Sequence, residues 1–118
     1  MKNTDHSLDA LLELDGIEQR ITNGYWVKFL AKLVEPNEHR PHGIKYSLTL
    51  HHPSGSRLLG YGNAHLADIK RKKFSAKRVE WDHKHQRNIM SDYDFETAGQ
   101  LLEDFWDQAD RLLKEEGI

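Results

Sequence analysis

With 118 residues, no cysteine and a net charge of −2, the chain suits one domain with a modest core and excludes disulfide or thiolate chemistry. Its 37% hydrophobic and 31% charged residues imply a small core under a highly charged surface. No apolar run approaches the ~20 residues of a membrane span and none resembles a signal peptide, so no membrane association and a cytoplasmic location are expected.

A single domain over 1–118 is expected, with residues 1–7 a disordered terminus. Leu8, Leu11, Leu12 and Leu14 fit either a short helix or a first strand. Asp15-Gly16 and Asn23-Gly24 are turn signals, the second the stronger, and Ile17 and Ile21 between them predict a hairpin. From Tyr25 to Val34 the alternation of Tyr25, Val27, Phe29, Ala31 and Leu33 predicts a long strand. Trp26, Lys28, Leu30, Lys32 and Val34 make its mixed opposite face. A polar loop punctuated by Pro36 and Pro41 follows. Ile44, Tyr46, Leu48 and Leu50 then alternate with Lys45, Ser47 and Thr49, and Pro53-Ser54-Gly55 turns the chain into a returning strand, Arg57 to Tyr61. These strands form a meander.

Residues 66–77 are basic and weakly periodic, expected as a loop or short helix. Arg78 to His85 reads as another strand, and Tyr93 to Phe95 as either a brief edge strand or an extended approach to the last element. In that element Ala98, Leu101, Leu102, Phe105, Trp106, Ala109, Leu112 and Leu113 form one apolar stripe at helical spacing. Thr97 with Gln100 is a capping-box signature and Gly117 a stop. The fold class expected is α+β: an antiparallel sheet of four to six strands with one long C-terminal amphipathic helix packed on it.

The small net charge hides segregation. Residues 41–91 carry 10 Lys/Arg against 3 Asp/Glu, with six of the eight histidines, whereas residues 92–118 carry 2 against 9. The middle is at +7 and the tail at −7. Such asymmetry fits a polyanion partner, an acidic tail shielding the basic middle within or between chains, or plain solubilisation.

Chemistry-bearing residues concentrate in that middle. If Val79 to His85 is a strand, Val79, Trp81, His83 and His85 share one face and Glu80, Asp82 and Lys84 the other. Two imidazoles about 7 Å apart along a strand can ligate a metal, share acid and base roles, or grip a phosphate. A metal site would draw on His83, His85, His65 or His42, and Asp82. Regular alternation turns Asp82 away from both strand histidines, and no sharper zinc spacing exists, so no metal and no cofactor are expected. Phosphodiester transfer without metal needs a base, an acid and cations around the phosphorane. His42, Lys45, Tyr61, His65, His83, His85 and Arg87 are the residue types for it. Lys70, Arg71, Lys72, Lys73, Lys77 and Arg78 would follow a phosphate backbone, and Tyr46, Tyr61 or Trp81 could stack bases, although Tyr46 and Trp81 also read as core aromatics. Neither a nucleophile elbow nor a phosphate or dinucleotide loop is present.

The order His42-Gly43-Ile44-Lys45-Tyr46-Ser47-Leu48, Gly60-Tyr61-Gly62-Asn63-Ala64, Asp82-His83-Lys84-His85, Tyr93-Asp94-Phe95 and Leu101-Leu102-Glu103-Asp104-Phe105-Trp106 resembles the TumE-like family of small bacterial toxins from toxin–antitoxin pairs. The resemblance spans roughly residues 42–113 and lies in the ordered combination. Matched polar positions are His42, Lys45, Tyr61, Asn63, Asp82, His83 and His85. The family pattern usually reads Tyr-Asp-Asn where this chain has Tyr61-Gly62-Asn63, and it commonly has a short glycine–lysine link where this chain has the long segment 66–80. The resemblance implies a toxin with a helix-turn-helix antitoxin encoded nearby.

Extended by analogy with other small toxins, it points to a metal-independent ribonuclease or translation inhibitor acting on RNA. His83, His85, Lys45 and Arg87 are then the expected catalytic residues. His42, Tyr61, Asn63, His65, Lys70, Arg71, Lys72, Lys73, Lys77 and Arg78 are the expected RNA contacts. The rival expectation is a non-enzymatic interaction module whose basic middle docks an acidic partner or a second copy in a homodimer.

Overall fold

Asn23 and Gly24 take φ of 47° and 86°, the left-handed pair whose twist suits a two-residue hairpin turn. They join β1 (Ile17–Thr22) to β2 (Tyr25–Leu33). The computed structural model describes residues 7–36, 41–63, 82–87 and 89–118. Within them β3 (Ile44–His51), β4 (Arg57–Gly62), β5 (His83–Gln86) and β6 (Ile89–Asp92) complete a six-stranded antiparallel meander in the order β1 to β6. Ahead of the sheet Leu8–Glu13 form α1, so the leucines of that segment resolve as a helix, and Ala98–Glu115 form α2. The α+β class and the C-terminal helix are as the sequence predicts.

Strand alternation builds the core. Val27, Phe29, Tyr46, Leu48, Leu59 and Tyr61 are buried on one sheet face, where α2 brings Leu101, Phe105 and Leu112 and α1 brings Leu11. Each such side chain contributes about 1.5–3 kcal/mol by leaving water, so the helix stripe suffices to hold α2 on the sheet. Both ends of α2 are closed. Thr97 Oγ1 accepts from Gln100 N at 3.0 Å. The other half of a capping box is not made: Gln100 Nε2 donates forward to Asp104 Oδ1 at 2.9 Å. At the C-terminus Gly117 (φ 88°) lets its own N–H reach Lys114 O and that of Ile118 reach Leu113 O, a Schellman motif.

The end of the sheet departs from expectation. Val34 lies past β2, and residues 78–81 fall outside the described residues, so the predicted Arg78–His85 strand is seen as His83–Gln86. The edge strand is Ile89–Asp92, and Tyr93 to Phe95 are the extended approach to α2. Its four residues are all exposed, so no apolar alternation announced it. Arg87, at φ 55°, turns the chain between β5 and β6. No helix among the described residues is long and apolar enough to cross a membrane.

Candidate functional site

Two clusters of polar side chains stand on opposite sides of the sheet. The first grows from the end of β4. Beyond Gly62 the β3–β4 ladder is continued by the Asn63 side chain: its Oδ1 accepts from Tyr46 N at 3.1 Å and its Nδ2 donates to Ile44 O at 2.8 Å. The same Nδ2 donates to Asp82 Oδ1 at 3.1 Å. Asp82 in turn receives His42 Nε2 at 3.2 and 3.0 Å. Because Ile44 N–H donates to His42 Nδ1 at 3.1 Å, Nδ1 is the acceptor and Nε2 carries the proton, an assignment made from the hydrogen-bond network. Phe95 lies against the imidazole at 4.1 Å between ring centres.

This knot is nearly dry. Asn63 is 1% and Asp82 8% exposed. The Tyr46 hydroxyl is buried with no hydrogen-bond partner among the described residues, and burial, reinforced by the Asp82 carboxylate, holds its proton far above the ordinary tyrosine range. Both His42 nitrogens are engaged, so the ring serves as a tie between the loop and Asp82. An open cleft of about 420 Å³ beside it is lined by Pro41, His42, Asp82, Asp92, Tyr93, Asp94 and Phe95. Three carboxylates in such a lining disfavour a phosphodiester.

The second cluster lies on the face away from α2. Pairing aligns Ser47, Gly62, His83 and Asp92 across β3 to β6, and Thr49, Gly60, His85 and Met90 one pair further along. Core residues Leu48 and Tyr61 occupy the intervening positions and face α2, so His83 and His85 face the other way, and Asp82 is parted from them as alternation requires. Their rings meet edge to face at 5.1 Å. His83 is buried and His85 partly so. Gly60, directly opposite His85, has the Arg57 side chain over it: a Cβ there would stand 3.4 Å from Arg57 Cδ and 3.6 Å from its Nε. Arg57 therefore stands beside His85, a neighbour that its position at the start of β4 did not announce.

The remaining expected residues divide between the two sides. Lys45 is exposed on the imidazole face, two strands from β5, or about 10 Å between strand axes. Arg87 is on the helix side, where its guanidinium pairs with Glu115 at 3.4 Å and Glu116 at 3.3 Å. Tyr61 is in the core, edge-on to Tyr93 at 4.9 Å, its hydroxyl donating to Asp104 O at 3.4 Å. Burial pushes its pKa up to about 12. Lys84 reaches over the Tyr61 ring at 5.9 Å from the helix side. His65, Lys70, Arg71, Lys72, Lys73, Lys77, Arg78 and Trp81 lie outside the described residues. Among the described residues no group of three or more His, Cys, Asp or Glu side chains has the arrangement of a metal site.

A small α+β protein with an imidazole pair on the sheet face away from its C-terminal helix is the class these features define. A protein-family model described as Toxin TumE matches residues 13–113. The chain belongs to the TumE toxin family and is a toxin-like protein of a toxin–antitoxin system. No curated protein and no solved structure matches it.

Proposed function

We propose that this toxin acts on RNA as a metal-independent ribonuclease through the sheet face that carries His83 and His85. The observation that supports this reading most is the company of the two imidazoles. They share a face with Arg57 and Lys45 against one neighbouring carboxylate, Asp92 opposite His83, whereas the other candidate site, around His42 and Asp82, opens on three. In the proposed reaction His85, the more accessible ring, takes the proton of a 2′-hydroxyl as that oxygen bonds to the adjacent phosphorus. The bond from phosphorus to the 5′-oxygen breaks, and that oxygen takes the proton back from His85 by way of water, while buried His83, edge to face with the His85 ring, holds that ring in place. The products are a 2′,3′-cyclic phosphate and a 5′-hydroxyl end. Arg57 and Lys45 stabilise the phosphorane charge. Arg87 enters by closing the turn after β5 and so placing His85, and the His42–Asp82–Asn63 knot holds the strand from its other end.

The partners that go with this reading are RNA and a helix-turn-helix antitoxin. The test is expression of the parent, His85→Ala and His83→Ala without antitoxin, with cleavage of a labelled RNA by the purified proteins in chelator. Loss of general acid–base help lowers cleavage about 10²-fold or more. His85→Ala is expected to grow normally while remaining folded. Undiminished toxicity and cleavage in the His83→Ala/His85→Ala double variant would remove the proposal.

A further inference from the structure

The face that carries His85 continues across β4, β3 and β2 to β1, and its far end holds a stacked aromatic pair that the proposed reaction does not use. Trp26 and His51 are directly paired across β2 and β3, and their rings are 3.9 Å apart and within 10° of parallel. His51 is anchored from behind by Nε2 on Thr49 Oγ1 at 2.9 Å. Burial, with Arg57 and Lys28 close by, keeps this imidazole below its usual range and so uncharged near neutrality. On the β1 side of the indole a hollow of about 260 Å³ opens, lined by Glu18, Gln19, Arg20 and Trp26. Arg20 is paired opposite Trp26.

Cations outnumber carboxylates on this face. Arg20, Lys28, Lys32, Lys45 and Arg57 are its described cations in β1 to β4. Glu18 is spent on Lys28 at 3.5 Å, and Lys32 is held by Asp15 at 2.8 Å. From Thr49, two strands from His85, the stack lies two residues further along β3, so His51 is about 12 Å and Trp26, one strand beyond, about 16 Å from His85. Sheets that bind single-stranded RNA combine aromatic side chains that stack bases with cations that track the backbone.

We propose that Trp26, backed by His51, is a base-stacking subsite for single-stranded RNA, with Arg20, Lys28 and Arg57 carrying the backbone from it toward His85. The inference rests on the ribonuclease reading for the identity of the ligand. It adds that the enzyme requires an unpaired base on the β1–β2 side of the cut. A duplex, whose bases are stacked on each other, cannot use the indole.

The test is equilibrium binding of a fluorescently labelled oligouridylate of about eight nucleotides to the full chain carrying His85→Ala, so that binding is read without cleavage. Trp26→Ala is expected to weaken binding about fivefold or more, and Trp26→Phe to retain most of it. Lys28→Ala is expected to lower the slope of log affinity against log salt by roughly 0.7. RNA quenching of tryptophan fluorescence is expected to fall in Trp26→Phe while far-ultraviolet dichroism stays that of the parent. Unchanged affinity in Trp26→Ala, or a duplex bound as tightly as the single strand, overturns the subsite. Should the single strand bind as expected while the parent leaves RNA uncut, the ribonuclease reading falls and the stacking subsite stands. If RNA is cut and Trp26→Ala binds normally, the reverse holds.

Discussion

Replacing Asn63 with alanine removes the side chain that finishes the β3–β4 ladder. Three hydrogen bonds go with it: those to Tyr46 N, Ile44 O and Asp82 Oδ1. A neutral buried bond is worth about 0.5–1.5 kcal/mol net and one to a charged group about 1.5–3 kcal/mol. Asn63 is 1% exposed, so water cannot replace it without opening the sheet end. The sum is about 2.5–6 kcal/mol, a large part of the ~5–15 kcal/mol that holds a small domain together. Urea denaturation followed by dichroism, with unchanged slope, reads it as a shift of midpoint. Asn63→Asp adds a diagnostic. Its oxygen can still accept from Tyr46 N, but a second carboxylate then faces Asp82, and its pKa in the fold rises above the unfolded value. Stability of that variant is present below the unfolded carboxylate pKa and is lost as pH rises, so it is expected to recover on acidification. A loss below about 1 kcal/mol in Asn63→Ala, or no acid recovery in Asn63→Asp, refutes the reasoning that this amide is the knot's fixed centre.

Phe105→Ala, which empties a fully buried position against Phe29 and Tyr61, is expected to cost about 3–5 kcal/mol, whereas Trp106→Ala at a 37% exposed position costs clearly less; thermal melts of the two side by side decide it. Tyr46, Tyr61 and Tyr93 are all raised above the ordinary tyrosine range by burial, Tyr93 also by its bond to Asp104. The fold therefore favours their neutral forms: this stability is intact below pH ~10 and drains as pH rises above it, so tyrosinate absorbance should appear together with unfolding. Independent tyrosinate titration at pH ~10 in a folded protein would contradict that burial. Gly62→Asp places the residue that the resemblance implies at this position directly opposite His83, and a Cβ there would stand 3.0 Å from Tyr46 O, so lower stability by about 1–3 kcal/mol is expected along with greater toxicity on expression. Unchanged toxicity would mean that a second carboxylate beside His83, added to Asp92 on β6, contributes nothing to the action.

What the sequence alone determined is everything that depends on neighbours a few residues apart. The alternation in Tyr25–Leu33 and Ile44–Leu50, the Asn23-Gly24 turn, and the Thr97-to-Gly117 helix are each set by local sterics and period, and they appear in the structure where the residues place them. The same alternation put His83 and His85 on one face and Asp82 on the other. Tertiary structure decided which distant residues meet there. His42 finds Asp82 from 40 positions away, Arg57 settles over Gly60 beside His85, Trp26 stacks on His51 through strand register, and Arg87 turns to Glu115 and Glu116. Register and long-range pairing are fixed only when many weak contacts form together, so no window of the chain contains them.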